Sequence, residues 1–433
     1  MNIKKIKLLQ ILIIIILFNI SIYSNVVTSE TLDIKTIKSN HKLVLNDEKD
    51  IFIQRVEHYL YIKSDENIQN FIVNYSFPPD YSYQTPLLLE IFSDSTANIL
   101  KYEIVNDLSE PNKLAKFTIG GIQKNEIILI HFTCWVLLFN NDFSDIPEYV
   151  KIPDRIDIPE ENVIWLSSSK VVQKNRILIK YHAQKLKGGG DNLISFADNI
   201  SSFIKQHKYF LFIIQLNLKI FFSQDAITTL LINGENVGRS HLACALFRTS
   251  NVPSRVLLVN NDQGFWTQMH YMVEYYIPNY GWVLIDTTKG ETPYDTNKQI
   301  INRICYPSDE DDTKKDYIIP FMKGEEKWIW INNEKINPYY IDCNEGSKSQ
   351  MFIEGKITTS SLTVDNAFFK AQNVFHQYQK FLGENLNQED IEHLNNAVAY
   401  QKKGINKFIE NEDIYEFIYY FDKAYDEYKQ IDI

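Results

Sequence analysis

Two residues with acid–base side chains, His270 and Asp286, lie on neighbouring segments that are predicted to form a β-hairpin, in which successive side chains alternate between the two faces. In a β-strand such alternation places every second residue on the same face, so His270 shares a face with Glu274. If the turn between the segments is centred on Pro278, His270 and Asp286 are direct cross-strand neighbours, with Cβ atoms about 5 Å apart. A carboxylate at that distance can orient an imidazole and stabilise its charged form. The spacing alone is equally compatible with a surface histidine and a turn aspartate.

Asn236 occupies a third position that could take part in chemistry, at the predicted start of a helix. Gly234 ends the preceding helical segment, and apolar residues then recur with helical spacing over 237–246. The free N–H groups and the macrodipole at a helix N-terminus favour an anion. A cysteine placed there ionises easily, and the same amides can stabilise an oxyanion. An asparagine can cap the helix but cannot attack a carbonyl carbon.

Together these segments resemble the transglutaminase-like superfamily over residues 173–320. The resemblance implies a papain-like core in which His270 is the general base and acid and Asp286 orients it. In that family a cysteine lies twelve residues before the arginine that corresponds to Arg248, and Asn236 holds that position here. The acyl-enzyme step of transamidation, deamidation or proteolysis therefore lacks its nucleophile. The matching residues are Asp225, Ala226, Thr229, Leu230, Gly234, Ser240, Leu242, Arg248, Val252, Pro253, Arg255, His270, Glu274, Tyr280, Gly281, Trp282 and Asp286.

Two other residues of the same helix are candidates for a displaced nucleophile. Cys244 lies about 12 Å along the helix from Asn236 and roughly 80° around it. It falls on the apolar face, where a buried thiol is inert, so a core cysteine is the alternative. Ser240 is one turn from Asn236 and nearly on the same face, but the resemblance implies a small residue packed behind the site at that position.

The residues around these positions are expected to line the cleft or to support it. Trp266 and Gln268 precede the histidine strand and are predicted to bind substrate, although Trp266 could equally pack in the core. His241 is predicted to be packed or at the helix surface, with a pocket-facing orientation as the alternative. Arg248 and Arg255 are predicted to be structural, each bonding backbone carbonyls or a carboxylate near the end of the helix.

The elements that precede the core predict an α+β protein with an N-terminal antiparallel β-sandwich at residues 40–139. Apolar runs recur there at a spacing of roughly ten residues, separated by turn residues, as in sandwich domains. Three prolines among acidic residues predict a linker at 140–168. The transglutaminase-like core is placed at 169–350, with an apolar run at 211–222 as part of its interior. The predicted sandwich strands are 51–62, 70–77, 87–92, 99–105, 114–119 and 126–139.

Residues 363–433 are predicted to form a C-terminal helical hairpin region. Helical periodicity covers 367–382, 388–409 and 413–428, and Asp413 is placed to cap the last helix. The small residues Gly404 and Ala424 are typical of one tetratricopeptide-type hairpin. A helical appendage that only packs against the rest of the chain is the alternative.

The first residues predict the cellular location. Lys4, Lys5 and Lys7 precede an apolar run at 8–22, which predicts a secretory signal peptide over residues 1–24. The run is shorter than the roughly 20 residues of a spanning helix, so we expect cleavage and a secreted or cell-surface protein. Anchoring by an uncleaved N-terminal segment is the alternative. Cys305 and Cys343 could form a disulfide or remain two buried thiols.

Composition excludes some classes of partner. A net charge of −11 argues against nucleic acid, which needs a basic surface, and against an anionic membrane surface. No cofactor motif and no metal cluster with ligand spacing is found, because the acidic run at 309–312 is too weak a signal for calcium. The predicted partner is a peptide or protein surface bound in the cleft.

Two functions from different classes follow. The first is a secreted, catalytically impaired transglutaminase-like protein that acts as a binding or scaffolding module. The second is an active cysteine- or serine-type acyltransferase or peptidase, in which His270 and Asp286 work with a displaced nucleophile or activate water directly.

Overall fold

The computed structural model describes residues 48–141, 143–206, 223–232, 234–261, 270–311, 328–342 and 345–432. Over these residues the chain is an α+β protein, with two antiparallel sheets, a mixed helix-and-sheet core and a C-terminal set of helices. The predicted fold class is confirmed. The predicted signal peptide at 1–24, the apolar run at 211–222 and Cys343 lie outside the described residues. Within the described ranges, no helix is long and apolar enough to cross a membrane.

The N-terminal sandwich contains the six strands that the sequence predicts. One sheet contains β1, β6 and β3 and the other contains β2, β5 and β4, and the facing side chains form a shared apolar core. Alternating burial along β1 and β5 reflects this arrangement, since every second residue faces the other sheet. The strands are β1 (Glu48–Ser64), β2 (Phe71–Phe77), β3 (Gln84–Ile91), β4 (Ile99–Asn106), β5 (Lys113–Ile119) and β6 (Ile127–Phe139).

The core follows, and its sheet has the strand order β10-β7-β8-β9. Helix α4 is its central element, because every residue from 237 to 248 is buried. The predicted linker ends in a short 3-10 helix, Glu160–Leu166, whose Trp165 is buried against the core and contacts the ring of Trp282. The elements are α1 (Ile177–Lys187), α2 (Leu193–Lys205), α3 (Ala226–Leu231), α4 (Asn236–Thr249), β7 (Ser254–Asn261), β8 (His270–Ile277), β9 (Gly281–Ile285), β10 (Gln299–Cys305) and α5 (Pro307–Asp311).

Strands that follow the core in sequence complete the sandwich. β11 (Ile329–Ile331) pairs with β2, whereas β12 (Ile336–Pro338) and β15 (Lys348–Ser360) pair with β1. The short strands β13 (Tyr340–Asp342) and β14 (Glu345–Gly346) pair with each other. The predicted limit of the core at residue 350 is therefore wrong, because these strands belong to the N-terminal sheets. Local alternation identifies a strand but does not say which sheet it joins.

The C-terminal helices pack on the sandwich. They are α6 (Ser361–Phe381), α7 (Gln388–Asn411) and α8 (Ile414–Tyr428). The carboxylate of Asp413 accepts the backbone N–H groups of Tyr415 and Glu416, so the predicted cap is present. At Gly404 a Cβ would lie 3.0 Å from the ring of Phe421, which shows how closely α7 and α8 approach.

Candidate functional site

The start of α4 is fixed by the segment that precedes α3. Gln224 is buried, and its Oε1 accepts the N–H of Glu235 at 2.8 Å. The carbonyl oxygen of Gln224 accepts a hydrogen bond from Nδ1 of His241 at 2.6 Å, so His241 is a packed residue and not a cleft residue. A Cβ at Gly238 would lie 2.7 Å from Gln224 Oε1, so glycine is needed for this close contact. These contacts hold Asn236 as the first residue of the helix.

The structure brings Asn236, His270 and Asp286 together in one chain of contacts. Asn236 Nδ2 lies 3.0 Å from His270 Nδ1, and His270 Nε2 lies 3.5 Å from Asp286 Oδ1. The N–H of Val237 donates to Asn236 Oδ1 at 2.7 Å, which directs the NH₂ group toward the histidine. Because an amide NH₂ can only donate, Nδ1 of His270 must be the acceptor and its proton sits on Nε2, facing Asp286.

The hairpin that carries the histidine and the aspartate has a different register from the predicted one. Ile277 pairs with Gly281, so the turn is centred on Asn279 and not on Pro278. The reason is a type II turn, in which Pro278 fixes the first central position and Asn279 adopts a positive φ of 69°. His270 and Asp286 are therefore diagonal rather than direct neighbours. A shift of two residues keeps both on the same face, so their side chains still meet.

Asp286 lies just beyond the end of β9 and is fully buried. Its Oδ1 accepts the backbone N–H groups of Thr288 at 2.9 Å and Lys289 at 3.1 Å. Burial, the largest single influence, raises the pKa of this carboxyl. The contact with His270 and the two backbone amides outweigh burial, so the pKa of Asp286 is lowered overall. The aspartate is thus held ionised, with its Oδ1 3.5 Å from Nε2 of His270.

This lowered pKa predicts how Asp286 stabilises the fold at different pH values. We expect Asp286→Asn to lower the free energy of unfolding by about 1–3 kcal/mol at neutral pH, because charge-assisted hydrogen bonds are lost. A carboxyl with a depressed folded-state pKa stabilises fully above its unfolded pKa of about 3.9, and that stabilisation is lost as the pH falls through the folded-state pKa. Urea unfolding at pH 7 and below pH 4 measures the difference. A gap between wild type and variant that grows in acid would contradict the assignment.

The two candidates for a displaced nucleophile have structural contacts. Ser240 Oγ lies 3.0 Å from the carbonyl oxygen of Asn236 and 3.1 Å from that of Tyr271, so it ties α4 to β8. Cys244 has no exposed surface. The predicted substrate-binding residues, Trp266 and Gln268, lie outside the described residues.

Two buried ion pairs involve residues of the elements that carry the site, α4 and β8. Arg255 Nε donates to Glu274 at 2.9 Å, and its guanidinium stacks 3.9 Å from the ring centre of Trp282. Tyr81, from the sandwich, donates to the same carboxylate at 2.8 Å, so this pair joins the sandwich to the core. Arg255, predicted to be structural, is thus bonded to a buried carboxylate.

Arg248 forms the second pair, with Glu310 of α5, and both side chains are fully buried. Its guanidinium also donates to the carbonyl oxygens of Ser254 and Ser167, each at 2.9 Å. The sequence analysis did not identify Glu310, Tyr81 or Gln224. A buried arginine signals that a carboxylate must be near, but not which one.

Comparison with known proteins identifies the class of the core. Residues 180–287 match the model of the transglutaminase-like superfamily. The matched range contains α4 and the hairpin that carries His270 and Asp286. The core is therefore transglutaminase-like, as the sequence resemblance predicted. Among curated proteins, no sequence matches the chain significantly.

Solved structures with related folds include two bacterial proteins. One is described as a candidate cysteine protease from Cytophaga hutchinsonii, with 14% identity and a TM-score of 0.46 over 70% of this chain and 99% of that chain. The other is the periplasmic domain of TgpA from Pseudomonas aeruginosa, with 11% identity and a TM-score of 0.26 over 55% of this chain and 88% of that chain.

Proposed function

We propose that this protein is a secreted, catalytically impaired transglutaminase-like protein whose cleft binds a peptide or protein. The hydrogen bond from Asn236 Nδ2 to His270 Nδ1 carries the proposal. In the transglutaminase-like arrangement this imidazole nitrogen faces the nucleophilic thiol. Here it faces an amide, whose nitrogen lone pair is delocalised and cannot attack a carbonyl carbon. Secretion rests on the predicted signal peptide.

The same hydrogen bond argues against activation of water by the His270–Asp286 pair. A general base must accept the proton of the attacking water at a free lone pair. The Nδ1 lone pair of His270 already accepts from Asn236. The other nitrogen, Nε2, faces Asp286. Water would have to displace the Asn236 amide before His270 could act as a base.

Displaced nucleophiles are the alternative on which an active enzyme would depend. Ser240 directs its hydroxyl to backbone carbonyls, and Cys244 is buried without access from the cleft side of α4. A hydroxyl needs an adjacent base and a thiol needs an electropositive, accessible setting to become reactive. The hydroxyl of Ser240 donates to two backbone carbonyls rather than to a base, which supports the binding function over the enzymatic one.

The first test compares the wild type with Asn236→Cys. We expect the variant to react with iodoacetamide at mildly acidic pH at least about tenfold faster than any native thiol, because a cysteine at a helix N-terminus beside a histidine has a lowered pKa. Amine incorporation and hydrolysis on glutaminyl peptides measure turnover. Wild type should be inert in both assays.

Two controls make this test specific. Asn236→Ala removes the amide without adding a thiol and should remain inert. Asn236→Cys combined with Cys244→Ser should keep the fast labelling, which assigns it to the new residue. Turnover by the wild type that is lost in His270→Ala would contradict the proposal and would indicate a nucleophile elsewhere.

A further inference from the structure

The segment that contains α1 is basic in an otherwise acidic chain. No aspartate or glutamate occurs between residues 170 and 190, although the whole chain has a net charge of −11. Every charged side chain in this interval is therefore positive. Its basic residues are Lys170, Lys174, Arg176, Lys180, Lys185 and Lys187.

Helix α1 presents apolar side chains to solvent between these cations. Ile179 and Ala183 face the core and are buried. On the opposite side Ile177 is 81% exposed, Tyr181 is 62% exposed and Leu178 is 39% exposed. At 100° per residue, Ile177 and Tyr181 occupy the middle of the exposed arc. The solvent-facing side of α1 is therefore apolar at its centre.

Exposed cations flank this apolar centre on both sides. On the helical wheel Lys180 lies on one side of Ile177 and Tyr181, and Lys185 lies on the other. Both lysines and Arg176 are exposed. We call the three apolar residues together with Arg176, Lys180 and Lys185 the α1 face. A lysine in such a position can lay its alkyl chain along the apolar surface and extend its charge outward.

Within the described part of the chain, the positive charges of the α1 face are not paired with acidic side chains. Across the ranges that the structure describes, Arg176, Lys180, Lys185 and Lys187 form no ion pair, whereas Lys170 contacts Asp311. Burial, followed by the charges of Arg155, Arg248 and Lys180, lowers the pKa of Lys174. Other cations of the described residues therefore lie close to Lys174.

The helix dipole explains only part of this pattern. Lys185 and Lys187 lie in the last turn of α1, where positive charge is favourable. Arg176 is the N-cap residue, where the dipole disfavours a cation, and its side chain makes no capping hydrogen bond. The helix dipole therefore does not account for the placement of Arg176.

We infer that the α1 face is a docking surface for an anionic lipid membrane. Ile177, Leu178 and Tyr181 enter the boundary between headgroups and acyl chains, and the flanking cations contact lipid phosphates. A single convex helix with an apolar centre and cationic flanks fits a flat lipid surface. The net charge of the chain argues against such a surface only if charge is evenly spread. Charges farther away than about 8–10 Å are screened at physiological ionic strength.

Sedimentation with vesicles tests this docking surface on the whole purified chain. We expect binding to mixed phosphatidylglycerol–phosphatidylcholine vesicles to fall about 25-fold or more in Lys180→Glu/Lys185→Glu, since each lysine near an anionic surface contributes about fivefold. Ile177→Ser/Tyr181→Ser should also weaken binding. Lys423→Glu/Lys429→Glu makes the same charge change on α8 and at its C-cap, and should bind like wild type. Pure phosphatidylcholine vesicles measure any contribution of the apolar N-terminal run.

Each alternative result overturns the inference in a distinct way. Equal binding to neutral and mixed vesicles would assign membrane contact to the N-terminal run. Loss of binding in the lysine variant but not in Ile177→Ser/Tyr181→Ser, together with equally tight binding to poly-glutamate, would indicate an acidic protein partner. No binding of the wild type to mixed vesicles at low salt would exclude lipid as the ligand of the α1 face.

Discussion

Replacing Glu310 by alanine is expected to lower the free energy of unfolding by about 3–5 kcal/mol, because it leaves the buried Arg248 guanidinium without its anion. Both side chains are fully buried, with Nη1 of Arg248 2.9 Å from Oε2 of Glu310. The arginine cannot lose its proton to escape the cost of burial. Urea unfolding followed by circular dichroism measures the change, and a variant too unstable to purify is the extreme form of the same result.

Two further variants show that the effect belongs to the pair. Asp311→Ala removes a neighbouring carboxylate that accepts the backbone N–H of Lys170 at the surface and should cost about 1 kcal/mol. Arg248→Met/Glu310→Leu removes both charges and should recover part of the loss. Recovery should be incomplete, because the carbonyl groups of Ser254 and Ser167 lose a donor. A Glu310→Ala protein as stable as the wild type would show that the pair contributes nothing.

In an Asn236→Cys background, His270→Ala is expected to reduce turnover by about 100- to 10,000-fold, the usual contribution of a positioned acid–base group. The reason is geometric, since Nδ1 of His270 lies 3.0 Å from the side chain at position 236. Loss of the imidazole also removes the positive charge that would stabilise a thiolate. The thiol should therefore label more slowly, and the pH at which labelling is half-maximal should rise.

A histidine elsewhere provides the matched control. His376 is exposed on α6 and contacts Asp80 of the sandwich, far in sequence from the site. His376→Ala in the same background should leave both turnover and the pH profile of labelling unchanged. If His270→Ala retains the rapid labelling of the introduced cysteine, the imidazole does not lower the pKa of that thiol. The role that we assign to His270 from its distance to position 236 would then be wrong.

The order of elements could be predicted from the sequence to a large extent. Strand alternation located β1 to β6, because each of these strands buries alternate residues against the facing sheet. The cap at Asp413 and the helix start at Asn236 were predictable because they depend on local backbone geometry. The partners of the late strands β11, β12 and β15 could not be predicted, because pairing depends on residues that lie far apart in sequence.

The candidate site shows the same division between local and distant information. The common face of His270 and Asp286 follows from strand periodicity, and a register error of two residues leaves it unchanged. The register itself depends on the positive φ of Asn279 in the turn after Pro278, and strand periodicity does not specify which residue lies at the centre of that turn. Gln224 and Glu310 could not be found, because each reaches its partner only through the tertiary fold.

The sandwich is built from strands that precede the core and strands that follow it. This arrangement also sets the order in which the chain can assemble. β1 emerges from the ribosome early, and its pairing with β6 is available as soon as the N-terminal part has been made. The other edge of β1 stays unpaired until β15 has been made, since Glu48 pairs with Ser360 and the core lies between them in sequence. During that interval an unpaired strand edge is open to other chains. The sandwich is thus completed only after the core has been synthesised, and a nascent chain that stalls within the core exposes a surface prone to aggregation.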